Sequence, residues 1–136
     1  MISNEDIEKE KKTQCCLYNN CSVKTFHEHN DCVRIAYQWL DAQKKTNSPI
    51  PRRWPIKHMI ESWAGRYVSM CDVCIASRLH PDIKGKYPRI NISQKITIPC
   101  STRLDNIPEA NTQLNYKSNS YGYIYKKHER VKSEND

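Results

Sequence analysis

Three glycines are all that this chain of 136 residues contains, and that scarcity removes several chemistries at once. Phosphate-cradling loops, dinucleotide fingerprints and nucleophile elbows need glycine where the backbone turns sharply or approaches a ligand. None of these patterns is present, and neither is the HExxH pair of zinc hydrolases. No enzyme is therefore expected, although a Cys–His nucleophile assembled in space leaves no mark in sequence.

Long apolar runs are missing as well. No segment approaches the roughly 18 consecutive apolar residues that a membrane span requires. The charged N-terminus, Met-Ile-Ser-Asn-Glu-Asp, lacks the apolar stretch of a secretory signal. The expected location is the cytoplasm, where thiols stay reduced. Seven cysteines, an odd number, also fit no fully paired disulfide framework.

Acidic residues are sparse in one place. Between Arg78 and Arg103 the basic residues are Arg78, Lys84, Lys86, Arg89, Lys95 and Arg103, against the single acid Asp82, a local surplus of +5 within a chain whose net charge is +7. Such a surplus favours a polyanionic partner.

Hydrophobic periodicity gives the frame around that stretch. Residues 1–13 are charged and polar and read as a frayed helix or disorder, and residues 14–29 show little period. Val33, Ala36, Tyr37 and Leu40 form one stripe, predicting a helix over 30–46 with Asn30 as N-cap. Ile56, Met59, Ile60, Trp63 and Tyr67 predict a second helix over 55–67, weakened near its end by Gly65. Ser69 and Asp72 have capping-box spacing ahead of a third helix that Pro81 ends. In residues 90–98 the isoleucines 90, 92, 96 and 98 share one parity, as in a strand, while Ile92 and Ile96 also suit a short helix. Tyr121, Tyr123 and Tyr125 alternate as in a strand.

Taken together, these elements resemble a helix-turn-helix. The helix from Asp72 would carry Ala76 at the close approach and Leu79 in the angle. After a turn of about nine residues, longer than the usual three or four, residues 92–96 would form the recognition helix. The expected fold is α+β, mainly helical: a winged-helix-like helix-turn-helix with a small C-terminal β element. Segments 104–107 and 121–125 would be its strands and the loop bearing Lys117 its wing. Residues 1–29 would be a flexible lead, 30–126 the domain and 127–136 a disordered tail.

The expected function is DNA binding, as in a small transcriptional regulator. Asn91, Ser93, Gln94 and Lys95 would face a groove, where Asn and Gln pair with adenine and Lys with guanine or phosphate. Lys84, Lys86, Arg89 and Arg103 would hold phosphates. Self-association into a homodimer fits this reading; a membrane partner does not. The alternative is a protein-interaction module with a basic face for an acidic partner, stabilised by zinc through Cys71 and Cys74 with ligands from His27, His29 and Cys32. The simpler expectation for the two CxxC residues is a core Cys74 and a partly exposed Cys71 thiol, with no metal or cofactor. Trp39 and Trp63 read as core, and Trp54 as the anchor of a proline-rich connector.

Overall fold

The computed structural model describes residues 1–12, 28–49 and 54–130. Among them are four α-helices, α1 (Asn4–Lys11), α2 (Asn30–Asp41), α3 (Ile56–Ala64) and α4 (Met70–Leu79). Four short strands follow: β1 (Gly85–Lys86), β2 (Arg89–Ile90), β3 (Ile96–Ile98) and β4 (Tyr125–His128). Single turns of 3-10 helix lie at Ser101–Leu104 and Leu114–Tyr116. The α+β class is as expected from the sequence. None of the helices is long and apolar enough to cross a membrane.

The N-terminal helix is more than a frayed lead. Ser3 Oγ accepts the Asp6 N–H at 3.1 Å, acids fill its first turn and lysines its last, all favourable to the helix dipole. Its one buried residue, Ile7, is 0% exposed and joins the main core. Arg34 of α2 fastens the helix by donating from Nε to the Ile2 carbonyl at 2.9 Å. Glu10 adds an ion pair with Arg78 of α4.

Helix α2 begins at Asn30, but the cap is His29, whose Nδ1 accepts the Asp31 N–H at 3.0 Å. Its apolar stripe buries Val33, Ile35, Ala36, Trp39 and Leu40 against α4. The helix stops at Asp41, short of the expected Thr46, because Gln43 turns inward. Its side-chain amide donates to the Thr97 carbonyl at 2.8 Å and accepts the Thr97 N–H at 2.9 Å, pairing with β3 as a strand would. Lys45 Nζ then donates to the Leu40 and Asp41 carbonyls of the last turn, a contact of the kind that satisfies helix C-terminal carbonyls.

Helix α3 ends at Ala64, short of the expected residue 67, because the glycine that weakens it takes the left-handed cap conformation. Gly65 lies at φ 60 and its N–H bonds the Glu61 carbonyl at 2.8 Å. Helix α4 opens on the capping box read from Ser69 and Asp72, with both reciprocal bonds present. Residues 71–77 of α4 are all buried, so this helix is the centre of the core.

The strands correct the expected β element. β1 and β2 form an antiparallel hairpin, and β3 pairs in parallel with β4. Residues 104–107 are not a strand: Ser101–Leu104 is 3-10 helix, and the Ile107 N–H closes a turn on the Leu104 carbonyl at 3.0 Å. Residues 121–124 turn as well, with the Ile124 N–H on the Tyr121 carbonyl, so the C-terminal strand starts only at Tyr125. That strand carries order to Glu129, whose N–H bonds the Ile98 carbonyl at 3.0 Å, past the expected domain end at 126.

Candidate nucleic-acid interface

Residues 90–98 follow strand spacing. Ile90, Ile92 and Ile96 are all fully buried, and no α-helix forms between His80 and the 3-10 turn at Ser101. The expected recognition helix over residues 92–96 is therefore absent. Isoleucine is stiff at Cβ and favours the pleated surface. Here the backbone finds strand-like partners from a distant segment. The Thr46 N–H donates to the Asn91 carbonyl at 2.7 Å and the Ser93 N–H to the Lys44 carbonyl at 2.8 Å, around a bridge of Lys45 to Ile92. Residue 44 thus brings its exposed side chain beside the basic stretch, across a sequence separation that hides it from a local reading.

The hairpin sets the charges. Gly85 faces Ile90 and Lys86 faces Arg89, with Tyr87 and Pro88 at the turn joined by a cis peptide bond. Gly85 has φ +95, and a Cβ there would strike the Arg89 carbonyl and Pro49, so this position requires glycine. Ile90 and Tyr87 are buried and anchor the hairpin, leaving Lys86 and Arg89 on the outer face. Cross-strand partners hold their Cβ atoms about 5 Å apart, and like charges placed so repel.

The eight candidate residues fall into three groups. Lys84, Lys86, Arg89, Gln94 and Lys95 are exposed. Ser93 is half-buried and its Oγ accepts the Lys95 N–H at 3.1 Å. Asn91 and Arg103 are committed elsewhere. Asn91 is 2% exposed; its Oδ1 accepts the Lys84 N–H at 2.6 Å and its Nδ2 donates to the Thr46 and Asp82 carbonyls at 3.1 Å. The amide expected to read a base is instead turned inward, where it ties the backbone at Asp82 and Lys84 to Thr46 in the segment after α2. Gln94 keeps its side chain outside, while its carbonyl accepts from Trp54 Nε1 at 3.2 Å; residues 50–53 of the connector that Trp54 was expected to anchor lie outside the described residues.

Arg103 sits in a structural clamp. It donates to both oxygens of Glu129 and, from NH1, to Asp41 at 2.9 Å and Gln38 at 2.8 Å. The Glu129 bond first, with help from Asp41, raises the guanidinium pKa further. The same Arg103 bonds lower Glu129 against the effect of burial. Burial alone would raise Asp41, but its bonds to His80 and Arg103 outweigh that and bring it below its ordinary value. His80 is buried beside this clamp, its Nε2 2.7 Å from Asp41 while Nδ1 accepts the Asp82 N–H. With Arg78 paired to Glu10, four of the six basic residues in the stretch remain: Lys84, Lys86, Arg89 and Lys95, none in an ion pair with a described carboxylate.

The cysteines depart from the expected thiols at one point. Cys71 is disulfide-bonded, so it is not available as a zinc ligand. Cys74 is a buried core thiol, as expected. Cys32 is buried too, and its burial pushes the thiol up to about 12, against a smaller opposing effect of Arg66. His27 lies outside the described residues, and among those described no group of three or more His, Cys, Asp or Glu could hold a metal ion. No family model, curated protein or solved structure matches this chain.

Proposed function

We propose that this protein binds DNA by its phosphate backbone, through the β1–β2 hairpin and the segment after it. The observation that carries the reading is the Lys86–Arg89 cross-strand pair: two exposed cations on one face, with Lys84 and Lys95 nearby in the same segment and, among the described residues, no carboxylate in an ion pair with them. An anion between such heads converts a repulsion into two attractions. Lys44 extends the surface from the neighbouring segment.

The element order supports a winged-helix-like arrangement with an altered division of labour. The hairpin follows the α3–turn–α4 pair, in the position of a wing, while α4 serves as core instead of lying in a groove. Binding of this kind positions a protein on a duplex and depends weakly on base sequence. Asn91 is buried and bonded to three backbone groups, which leaves the exposed Gln94 and Lys95 as the candidates for a base contact.

Fluorescence anisotropy on a mixed-sequence duplex tests the proposal. Neutralising four phosphates implies a log–log salt slope of about −3.6. Retention at low salt that fades on this slope is the expected result; no retention at low salt ends the proposal. An acidic protein partner would engage the same heads, so polyglutamate is included as competitor. Displacement of the duplex by polyglutamate at equal charge would favour that second reading.

A further inference from the structure

A second site, sharing no lining residue with the basic stretch, lies between α3 and the loop that carries the Leu114–Tyr116 turn. A cleft of about 340 Å³ is lined there by Lys57, His58, Glu61, Tyr67, Tyr116 and Ser118, among others. That volume falls in the range of small-molecule sites.

Its centre is a buried acid. Glu61 is 4% exposed, yet its carboxylate has three partners: the His58 Nδ1 at 3.0 Å, the Lys57 Nζ at 3.1 Å and the Val68 N–H at 3.3 Å. An ionised carboxylate only accepts, so His58 donates its hydrogen from Nδ1 to Glu61, and the imidazolium form carries a second hydrogen at Nε2 for donation to an anionic ligand. The imidazole side chain is 59% exposed, whereas the carboxylate that orients it is enclosed. Lys57 is fixed twice, by Glu61 and by the face of Tyr67 at 4.7 Å from the ring centroid. Tyr67 and Tyr116 meet at 6.0 Å and 53°, a tilted pair that leaves Tyr116, 37% exposed, with ring surface toward solvent. Ser62 and Ser118, 3.3 Å apart, add hydroxyls on the wall.

An oriented imidazole, a fixed ammonium, hydroxyl groups and an open aromatic ring are the complement of a phosphorylated aromatic compound. We infer that the cleft binds a nucleotide, its base against Tyr116 and its phosphate toward Lys57 and His58. Either a free mononucleotide or one unit of a single strand supplies that chemistry. Tyrosine stacking tolerates any base, since every base offers a π face.

Backbone amide NMR titrations with adenosine monophosphate, with adenosine, with inorganic phosphate and with a hexadeoxyadenylate strand test the inference on the full chain. Shifts confined to residues 57–62 and 115–121 are expected with the mononucleotide, the strand or both, and the response identifies the source. Adenosine and phosphate alone should each bind at least fivefold more weakly. Tyr116→Ala and His58→Gln, both at exposed side chains, should weaken binding at least fivefold while leaving the rest of the spectrum unchanged. A Lys86→Glu/Arg89→Glu variant should bind the mononucleotide as the wild type does, which separates this site from the hairpin. The inference is overturned if neither nucleotide probe moves these residues up to about 10 mM. It is equally overturned if phosphate matches the nucleotide, or if both cleft variants bind like the wild type.

Discussion

Arg103 and the Lys86–Arg89 pair come from the same basic stretch and meet opposite fates. Arg103 is half-buried, with two carboxylates and an amide around its guanidinium. Lys86 and Arg89 stand side by side and exposed, with no ion-pair partner among the described residues. A charge count treats the three alike. What separates them is whether the fold brings an acid within reach, and Glu129 and Asp41 approach from 26 and 62 residues away. The surplus that invites a polyanion is therefore smaller than the sequence suggests, and it is concentrated on the hairpin.

Four experiments sharpen or break that contrast. The largest effect belongs to the core shared by both regions: Trp39→Ala should cost about 3–5 kcal/mol in denaturant unfolding, since the ring is fully buried and its Nε1 bond to the Tyr125 hydroxyl goes with it. Asn91→Ala comes next, at about 2–3 kcal/mol, because the Lys84 N–H and two carbonyls lose their partner. If Asn91→Ala instead leaves stability intact and shifts base preference, the assignment of this residue as a fastener fails.

Arg103→Gln should cost about 2 kcal/mol, a figure already reduced for the clamp's partial exposure to solvent, with DNA affinity changed little. Its pH dependence follows from the lowered Asp41 and Glu129. Groups whose folded pKa is depressed contribute stability above their unfolded values, near about 4, and lose it as pH falls through the folded ones. The wild-type advantage over Arg103→Gln should thus be full above about pH 5 and shrink in acid. An advantage that grows in acid would contradict the clamp. The smallest effect on stability is expected from Lys86→Glu/Arg89→Glu, which should unfold like the wild type. It should nevertheless bind duplex DNA at least tenfold more weakly at low salt, with the salt slope reduced by about 1.8.

Local chemistry was legible where it was strongest. The Ser69–Asp72 box, the weakness at Gly65 and the stripes of α2 and α3 needed only neighbours in sequence. The isoleucines of residues 90–98 left two answers open, and distant pairing with residues 44–46 chose the strand. Asn91 looked like a groove reader because asparagine is usually exposed. Its burial depends on Thr46 and Asp82, which no local pattern connects to it. Helix α1 offered one apolar residue, too few for a periodic signal, yet Ile7 fills the core. The cleft around Glu61 was hidden for the same reason: half its wall comes from a polar loop more than fifty residues away.

The parallel pairing of β3 with β4 carries a consequence for how the chain assembles. A parallel neighbour cannot be reached by a tight turn, and here 26 residues intervene between the two strands. Closing a loop of that length costs entropy before any ladder bond forms, so this pairing should be a late event in folding. Until β4 arrives, Trp39 lacks the Tyr125 hydroxyl and Arg103 lacks Glu129. The helices can gather first, but the last strand completes the polar contacts of residues that they have already enclosed.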